Sequence, residues 1–236
     1  MSVTGPSFTV VVTDAWRETF PAATVGLILL EDVVNPPTHP VLQQRVREVE
    51  ARIQEQFAGA DRAALITLPA ITAYQRHYRA FGQTYHVLRQ LESVALKGKP
   101  LASKSALVLA MFAAELDSLL LTAGHDLDAL QPPLALDRSV AGERFAGIGG
   151  QEQVLRAGDM LMRDSHGIIS AVLYGPDQRT RLNENTRRAL FTTYAPDGIE
   201  EATLREHLHQ LASLVQLIAP AAKIRLIGVY PPVQQQ

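Results

Sequence analysis

Residues 119–130 read LLLTAGHDLDAL. How this stretch folds decides the architecture on either side of it. The leucines continue an apolar run that starts near Ser105. The spacing predicts a helix from about Ser105 to Thr122, stopped by Gly124 and largely surrounded by other apolar groups. His125, Asp126 and Asp128 then fall in the turn that follows. Asp126 or Asp128 can cap that turn, because aspartate accepts from unpaired backbone N–H groups. A second reading puts the same carboxylates at the rim of a pocket, holding a ligand's ammonium group or hydroxyl. A metal centre fits less well. There is no HExxH and no second histidine at matching spacing, so no metal is expected.

Upstream, a strand is predicted over 8–13 and a short helical turn over 14–20. TVGLILLEDVV (24–34) reads as a buried strand. The three prolines of NPPTHP end it, since proline suits neither a helix interior nor a central strand. Val41, Leu42, Val46, Val49, Ile53 and Phe57 recur at helical spacing and predict an amphipathic helix of about 17 residues. Further helices are expected over 69–81 and 86–97, with Gly82 and Gly98 just past their ends.

Downstream, the pattern changes to short apolar runs between turn residues: LALD, ERFAGI, DMLMRD, GIISAVLY and RALFTTYA. These predict antiparallel strands. DSHG (164–167) suits a hairpin connection, and GPDQ (175–178) suits a turn with proline second. Asp197, three residues before Glu200, predicts an acidic cap on a closing helix that ends near Ala219. A last strand is expected from Lys223 to Tyr230. Helices and strands are partly segregated along the chain. The expectation is an α+β fold, with helices packed on largely antiparallel β structure. It is read as a single mixed domain over 1–236, with its core at about 8–230 and a polar tail at 231–236.

Composition narrows the function. The chain is 47% hydrophobic and 19% charged, which is ordinary for a globular protein with a sizeable core. A net charge of −2 excludes general polyanion binding by a basic surface but leaves room for a local contact. Lysine occurs only at 97, 99, 104 and 223, and arginine supplies the other cations. The absence of cysteine excludes disulfides, thiolate metal sites and cysteine nucleophiles. No signal-peptide pattern and no membrane-spanning run is evident, so a cytoplasmic location without membrane association is expected.

Other polar clusters carry weaker signals. No GxSxG supports a serine nucleophile, and GGQ (149–151) lacks the strand-to-helix setting of a phosphate-binding loop. No cofactor is expected. YGPDQRT (174–180) gathers Tyr174, Asp177, Gln178, Arg179 and Thr180 at one turn, which reads equally as an exposed tip or a binding loop. Tyr74, Arg76, His77, Tyr78 and Arg79 read as a half-buried helix face or as a stacking and phosphate-contact surface. His207 and His209 are two apart on a helix and point to different faces.

The order of several short motifs carries a resemblance. FPAATVGLILLEDVVN is followed by YRAFG (78–82), ALKGKPL (95–101), SALVLAMFAAEL, AGHDLDAL, AGERF (141–145), AGDMLMRD (157–164) and TRRALF (186–191). This succession resembles stand-alone proteins related to the beta subunit of phenylalanine–tRNA ligase, built on its tRNA-binding and editing B3/B4 domain. The resemblance covers about Phe20 to Tyr194. It implies a mixed α and β fold that binds the aminoacylated end of a tRNA and clears a wrong amino acid in trans. The chain departs from many stand-alone relatives at Leu109 and Phe112, where they carry polar groups on the central helix. It departs again around Leu173 and Tyr174, where they carry a tryptophan. None of the synthetase's own editing residues is carried over.

Three functions follow as expectations. An editing hydrolase needs to bind an α-ammonium group, hold a side chain and orient one water on a labile ester. His125 and Asp126 are the candidate catalytic residues, with His125 orienting or deprotonating water. Asp128 and Glu143 are candidates for the ammonium group, and Arg79, Arg179 and Thr180 for substrate or phosphate contact. The alternative is a non-catalytic module that binds an amino acid, a small metabolite or an RNA end. A purely protein-contact role is the third, and the oligomeric state stays open.

Overall fold

The computed structural model describes residues 9–231. Strand β1 (Val10–Val12) and helix α1 (Asp14–Thr19) open the chain, followed by β2 (Thr24–Glu31). Four helices follow: α2 (Pro40–Gln56), α3 (Arg62–Leu65), α4 (Pro69–Arg79) and α5 (His86–Leu91). The last runs into a π-helical turn at Glu92–Leu96. Helix α6 (Ala106–Ser118) leads to β3 (Leu121–Asp126) and a 3-10 turn at Leu127–Ala129. Next come β4 (Leu134–Arg138), β5 (Arg144–Ala146), β6 (Glu152–Val154), β7 (Met160–Asp164), β8 (Gly167–Ala171) and β9 (Gly175–Pro176). The chain closes with β10 (Arg188–Ala195), α7 (Glu201–Ile218) and β11 (Lys223–Tyr230). This is an α+β fold with mostly antiparallel sheets.

These elements form two compact units. The first comprises the segment through Pro21 and Ala129–Arg181, and the second comprises Ala22–Asp128 and the chain from Leu182 onward. The second unit is built on an antiparallel sheet in the order β11-β2-β10-β3. Strand β10 pairs with β2 along all eight residues and with β3 along six. Its apolar side is covered by α2, α6 and α7, with Ile28, Leu30, Leu42, Leu107, Phe191 and Leu211 in one core. The α2 periodicity is legible here, for Leu42, Val46, Val49 and Ile53 are all buried.

In the first unit, five strands run in the order β1-β4-β7-β8-β9, and β5 pairs with β6 as a separate hairpin. Only β1 and β4 pair in parallel within the larger sheet. Thr13 caps α1 by accepting the Trp16 N–H at 3.1 Å, and Trp16 is fully buried.

The decisive stretch folds differently from the expectation. Helix α6 stops at Ser118, where Leu119 takes a left-handed conformation at φ 62°. A branched side chain there costs about 1–2 kcal/mol. Two side-chain bonds hold it: Ser118 Oγ donates to the Ala114 carbonyl at 2.9 Å, and Tyr85 Oη donates to the Leu119 carbonyl at 2.9 Å. Residues 121–126 are then a wholly buried strand. Gly124 is not a helix stop. A Cβ there would lie 2.6 Å from Leu182 Cδ1 and 3.2 Å from Phe191 Cε1, so the glycine lets side chains close over the strand.

Smaller corrections have similar local causes. The helix predicted over 69–81 ends at Arg79, and the one predicted over 86–97 turns π-helical at Glu92. The 24–34 strand ends at Glu31, with Asp32 at positive φ. GPDQ is not a free turn, because Gly175–Pro176 pairs with β8. Asp197 does not cap α7. Glu200 occupies the cap position without a side-chain bond, and Asp197 lies 3.6 Å from Arg76. The strand predicted from Phe8 begins at Val10 among the described residues, and Phe8 and most of the polar tail lie outside them.

Candidate functional site

A cleft of about 360 Å³ opens in the first unit. Three short segments line it: Arg144–Ala146 on β5, His166–Ile168 at the β7–β8 hairpin, and 177–179 just after β9. Non-local backbone bonds draw them together. The Asp177 N–H donates to the Ile169 carbonyl at 2.8 Å, the Gln178 N–H donates to the Ala146 carbonyl at 2.9 Å, and Gly147 forms a bridge with Asp177. Ile168 is buried and Phe145 half-buried, while Arg144, His166, Gln178 and Arg179 stand at exposed positions. An apolar patch edged by convergent donors suits an amphiphilic ligand of modest size.

Arg179 is fastened in place. Its Nη2 lies 2.9 Å from each oxygen of Asp164, and its Nη1 donates to the Ala129 carbonyl at 2.8 Å. The Asp164 side chain is fully buried and also accepts the Gln131 and His166 N–H groups, both at 2.9 Å. One carboxylate therefore positions both a guanidinium and a histidine backbone at the cleft. Arg144 is held loosely. Its side chain is 60% exposed and pairs with an equally exposed Glu152 at 2.5 Å.

Asp177 is the one buried carboxylate in the lining. Its Oδ1 accepts the Thr180 N–H at 3.0 Å and the Thr180 hydroxyl in a short bond. Its Oδ2 has Arg179 Nε at 3.6 Å, beyond ordinary hydrogen-bond reach. Burial pushes the carboxyl above its usual range, against the pull of the Thr180 bonds and of Arg179.

The residues anticipated from sequence divide between the units. Arg179 lines the cleft, and Thr180 orients Asp177 from behind. Glu143 precedes Arg144, but its carboxylate accepts the Val140 N–H at 2.6 Å and Arg163 Nη2 at 3.0 Å. The others belong to the second unit. His125 is fully buried in β3, opposite Leu190. Asp126 accepts the Asp128 N–H at 3.1 Å, Asn183 Nδ2 at 3.0 Å and Thr186 Oγ1 at 2.8 Å, so it does cap the following turn. Asp128 lies 3.4 Å from Arg188. Arg79 is exposed and donates to Gln75 at 2.9 Å, while its neighbours Tyr74 and Tyr78 are buried. Arg144, Phe145 and His166 were missed as site residues. Each sits in a motif visible in the sequence, AGERF or DSHG, but nothing local says that the two meet.

The second unit holds its own polar cluster, buried except at Ser118. His207 lies between Ser118 Oγ at 2.7 Å and Thr122 Oγ1 at 2.8 Å, and Thr122 Oγ1 also meets Thr193 Oγ1 at 3.0 Å. Glu115 Oε1 accepts the Thr122 N–H at 2.7 Å. Burial raises the Glu115 carboxyl to about 8 and lowers the His207 imidazole to about 4. No group of three or more histidine, aspartate or glutamate residues among the described residues is placed to hold a metal ion. No helix among them is long and apolar enough to cross a membrane.

Residues 114–216 match the B3/4 domain. No curated protein matches. Among solved structures, the fold is similar to an N-terminal fragment of the phenylalanyl-tRNA synthetase beta subunit from Pyrococcus horikoshii, with a TM-score of 0.50 and 12% identity. The match covers 98% of this chain and 56% of that fragment, so the chain spans just over half the length of the fragment it matches. Residues 114–216 thus carry a B3/4 domain, and the fold is similar to that of the synthetase beta-subunit fragment.

Proposed function

We propose that the chain binds the aminoacylated end of a tRNA in the cleft of the first unit and hydrolyses a wrongly attached amino acid in trans. The observation that carries this reading is the position of the cleft. Its lining, from Arg144 to Arg179, lies wholly within the stretch matched to the B3/4 domain. An aminoacyl ester offers an ammonium group, a side chain, a carbonyl and, nearby, a phosphate. Asp177 Oδ2 receives the ammonium group, Phe145 and Ile168 the side chain, and Arg144 the phosphate after leaving Glu152. Exposed ion pairs such as Arg144–Glu152 are weak enough to exchange. His166 orients the attacking water. Water adds to the ester carbonyl, the bond to the ribose oxygen breaks, and the tRNA hydroxyl is restored. In this reading His125 and Asp126 support the end of β3 rather than touch substrate.

One observation favours a second reading, a binding module without turnover. His125 is fully buried, and Asp126 is saturated by three donors. One experiment separates the two. Purified protein is mixed with tRNA charged with a non-cognate amino acid, and both binding and release of free amino acid are followed. Release that falls roughly 10- to 100-fold in Asp177→Asn, with an unchanged fold, supports hydrolysis, because a charge-assisted bond to the ammonium group is worth that much. Binding without release supports the second reading. Neither binding nor release from the wild-type protein overturns both.

A further inference from the structure

The second unit also carries a lysine-rich loop. Between Glu92 and Glu115 the chain carries no carboxylate and three of its four lysines, in KGKPLASK (97–104). Arginine is otherwise the cation of this protein, so the clustering of lysine is local. Lys97, Lys99 and Lys104 are exposed, and among the described residues none of them forms an ion pair. The fourth, Lys223, is paired with Asp32 at 2.8 Å. The loop that presents them is tied down along its length. The Lys99 N–H donates to the Ser93 carbonyl at 2.9 Å, and the Leu101 N–H donates to the buried Glu50 carboxylate at 2.5 Å. Ser105 donates to Ser103 Oγ at 3.1 Å through its N–H and to Asn35 Oδ1 at 2.8 Å through its hydroxyl. Gly98, at φ +60°, provides the turn between the first two lysines.

We infer that this loop is a phosphate-contact surface for the backbone of an RNA, independent of base sequence; this rests on the tRNA reading above. Three uncompensated point charges on a fixed backbone complement a run of phosphates, and a lysine ammonium contacts phosphate without demanding planar geometry. A lipid surface fits less well. Leu101, the largest apolar residue of the loop, packs against the second unit's core and offers nothing to insert.

The test measures binding of unfractionated tRNA as salt rises from about 50 to about 200 mM, where each lost phosphate contact removes roughly 0.7–0.9 from the log–log slope. The variants are K97Q/K99Q/K104Q and the matching triple arginine variant. The glutamine variant, with an unchanged melting temperature, should bind roughly tenfold or more weakly with a slope shallower by about two. The arginine variant should restore both. Tight tRNA binding by wild type with the same slope in the glutamine variant overturns this inference and leaves the proposed function standing. Wild type that binds no tRNA overturns both. Lysine-dependent binding to phosphatidylserine vesicles, with no effect on tRNA, assigns the loop to a membrane and also overturns it.

Discussion

Asp126 and Asp177 occupy similar settings and do different things. Each is an aspartate at the end of a strand, buried to 8% and 4% exposure, and each accepts a threonine hydroxyl and a nearby backbone N–H. At Asp126 both oxygens are consumed, because Asn183 and Thr186 share Oδ2 while the Asp128 N–H takes Oδ1. At Asp177 both donors fall on Oδ1, and among the described residues Oδ2 has only Arg179, at 3.6 Å. Residue type and burial do not separate a structural carboxylate from one available to a ligand. The distribution of donors over its two oxygens does. The same contrast holds between the units: the polar cluster of the second is largely buried and internally bonded, whereas that of the first lines an opening.

The largely buried cluster should show the largest effect. The Glu115 carboxyl sits at about 8 when folded, above its ordinary 4.5, so the native state holds a proton that the unfolded chain releases between those values. Its contribution to stability is therefore complete below pH 4.5, is lost as pH rises and is gone above 8. Glu115→Gln keeps an acceptor for the Thr122 N–H and removes the titration. The variant should gain roughly 5 kcal/mol over wild type at pH 9 and little at pH 4.5, by denaturant melts at both values. His207 runs the other way. Its imidazole is lowered to about 4, so its contribution is lost as pH falls from 6.5 toward 4. An equal gain for Glu115→Gln at both pH values would mean that the glutamate is not buried in its neutral form.

Next in size is Asp126→Ala. Three donors lose a charged acceptor, and the melting free energy should drop by about 3 kcal/mol. Any loss of ligand binding should be recovered by lowering the temperature, because the defect is in folding. A stable Asp126→Ala protein that fails to turn over substrate would instead place Asp126 in the chemistry and break the contrast with Asp177.

What was legible in the sequence follows from the range of the interactions involved. Strands 188–195 and 223–230 were readable to the residue, since β-branched and aromatic side chains between turn residues specify a strand locally. The 17-residue amphipathic helix was readable for the same reason. LLLTAGHD was not, because a short buried apolar run carries no period that distinguishes a helix end from a strand. The true stop, a leucine in the left-handed region, depends on Tyr85 from 34 residues away. The cleft was harder still. Each of its turns was visible as a turn, and Asp177, Gln178 and Arg179 were visible as one polar group. Their meeting with Arg144 and His166 depends on the β8–β9 pairing and the Gly147–Asp177 bridge, which no local pattern announces.

Asp177→Asn should change stability least. Asparagine keeps an Oδ1 for both Thr180 donors and removes a charge that burial disfavours, so the melting free energy should move by less than about 1 kcal/mol. The functional consequence should be out of proportion to that change. An ammonium ligand requires the ionised carboxylate, and the raised Asp177 value means that ionisation is lost at a higher pH than for an ordinary aspartate. Affinity for an amino-acid ester should therefore weaken on acidification before the fold does, and this pH dependence should vanish in Asp177→Asn. Calorimetric titration from pH 7 downward, with melts at each pH, separates the two. If affinity and stability fall together in both proteins, Asp177 is a second structural carboxylate and the distinction between the two aspartates fails.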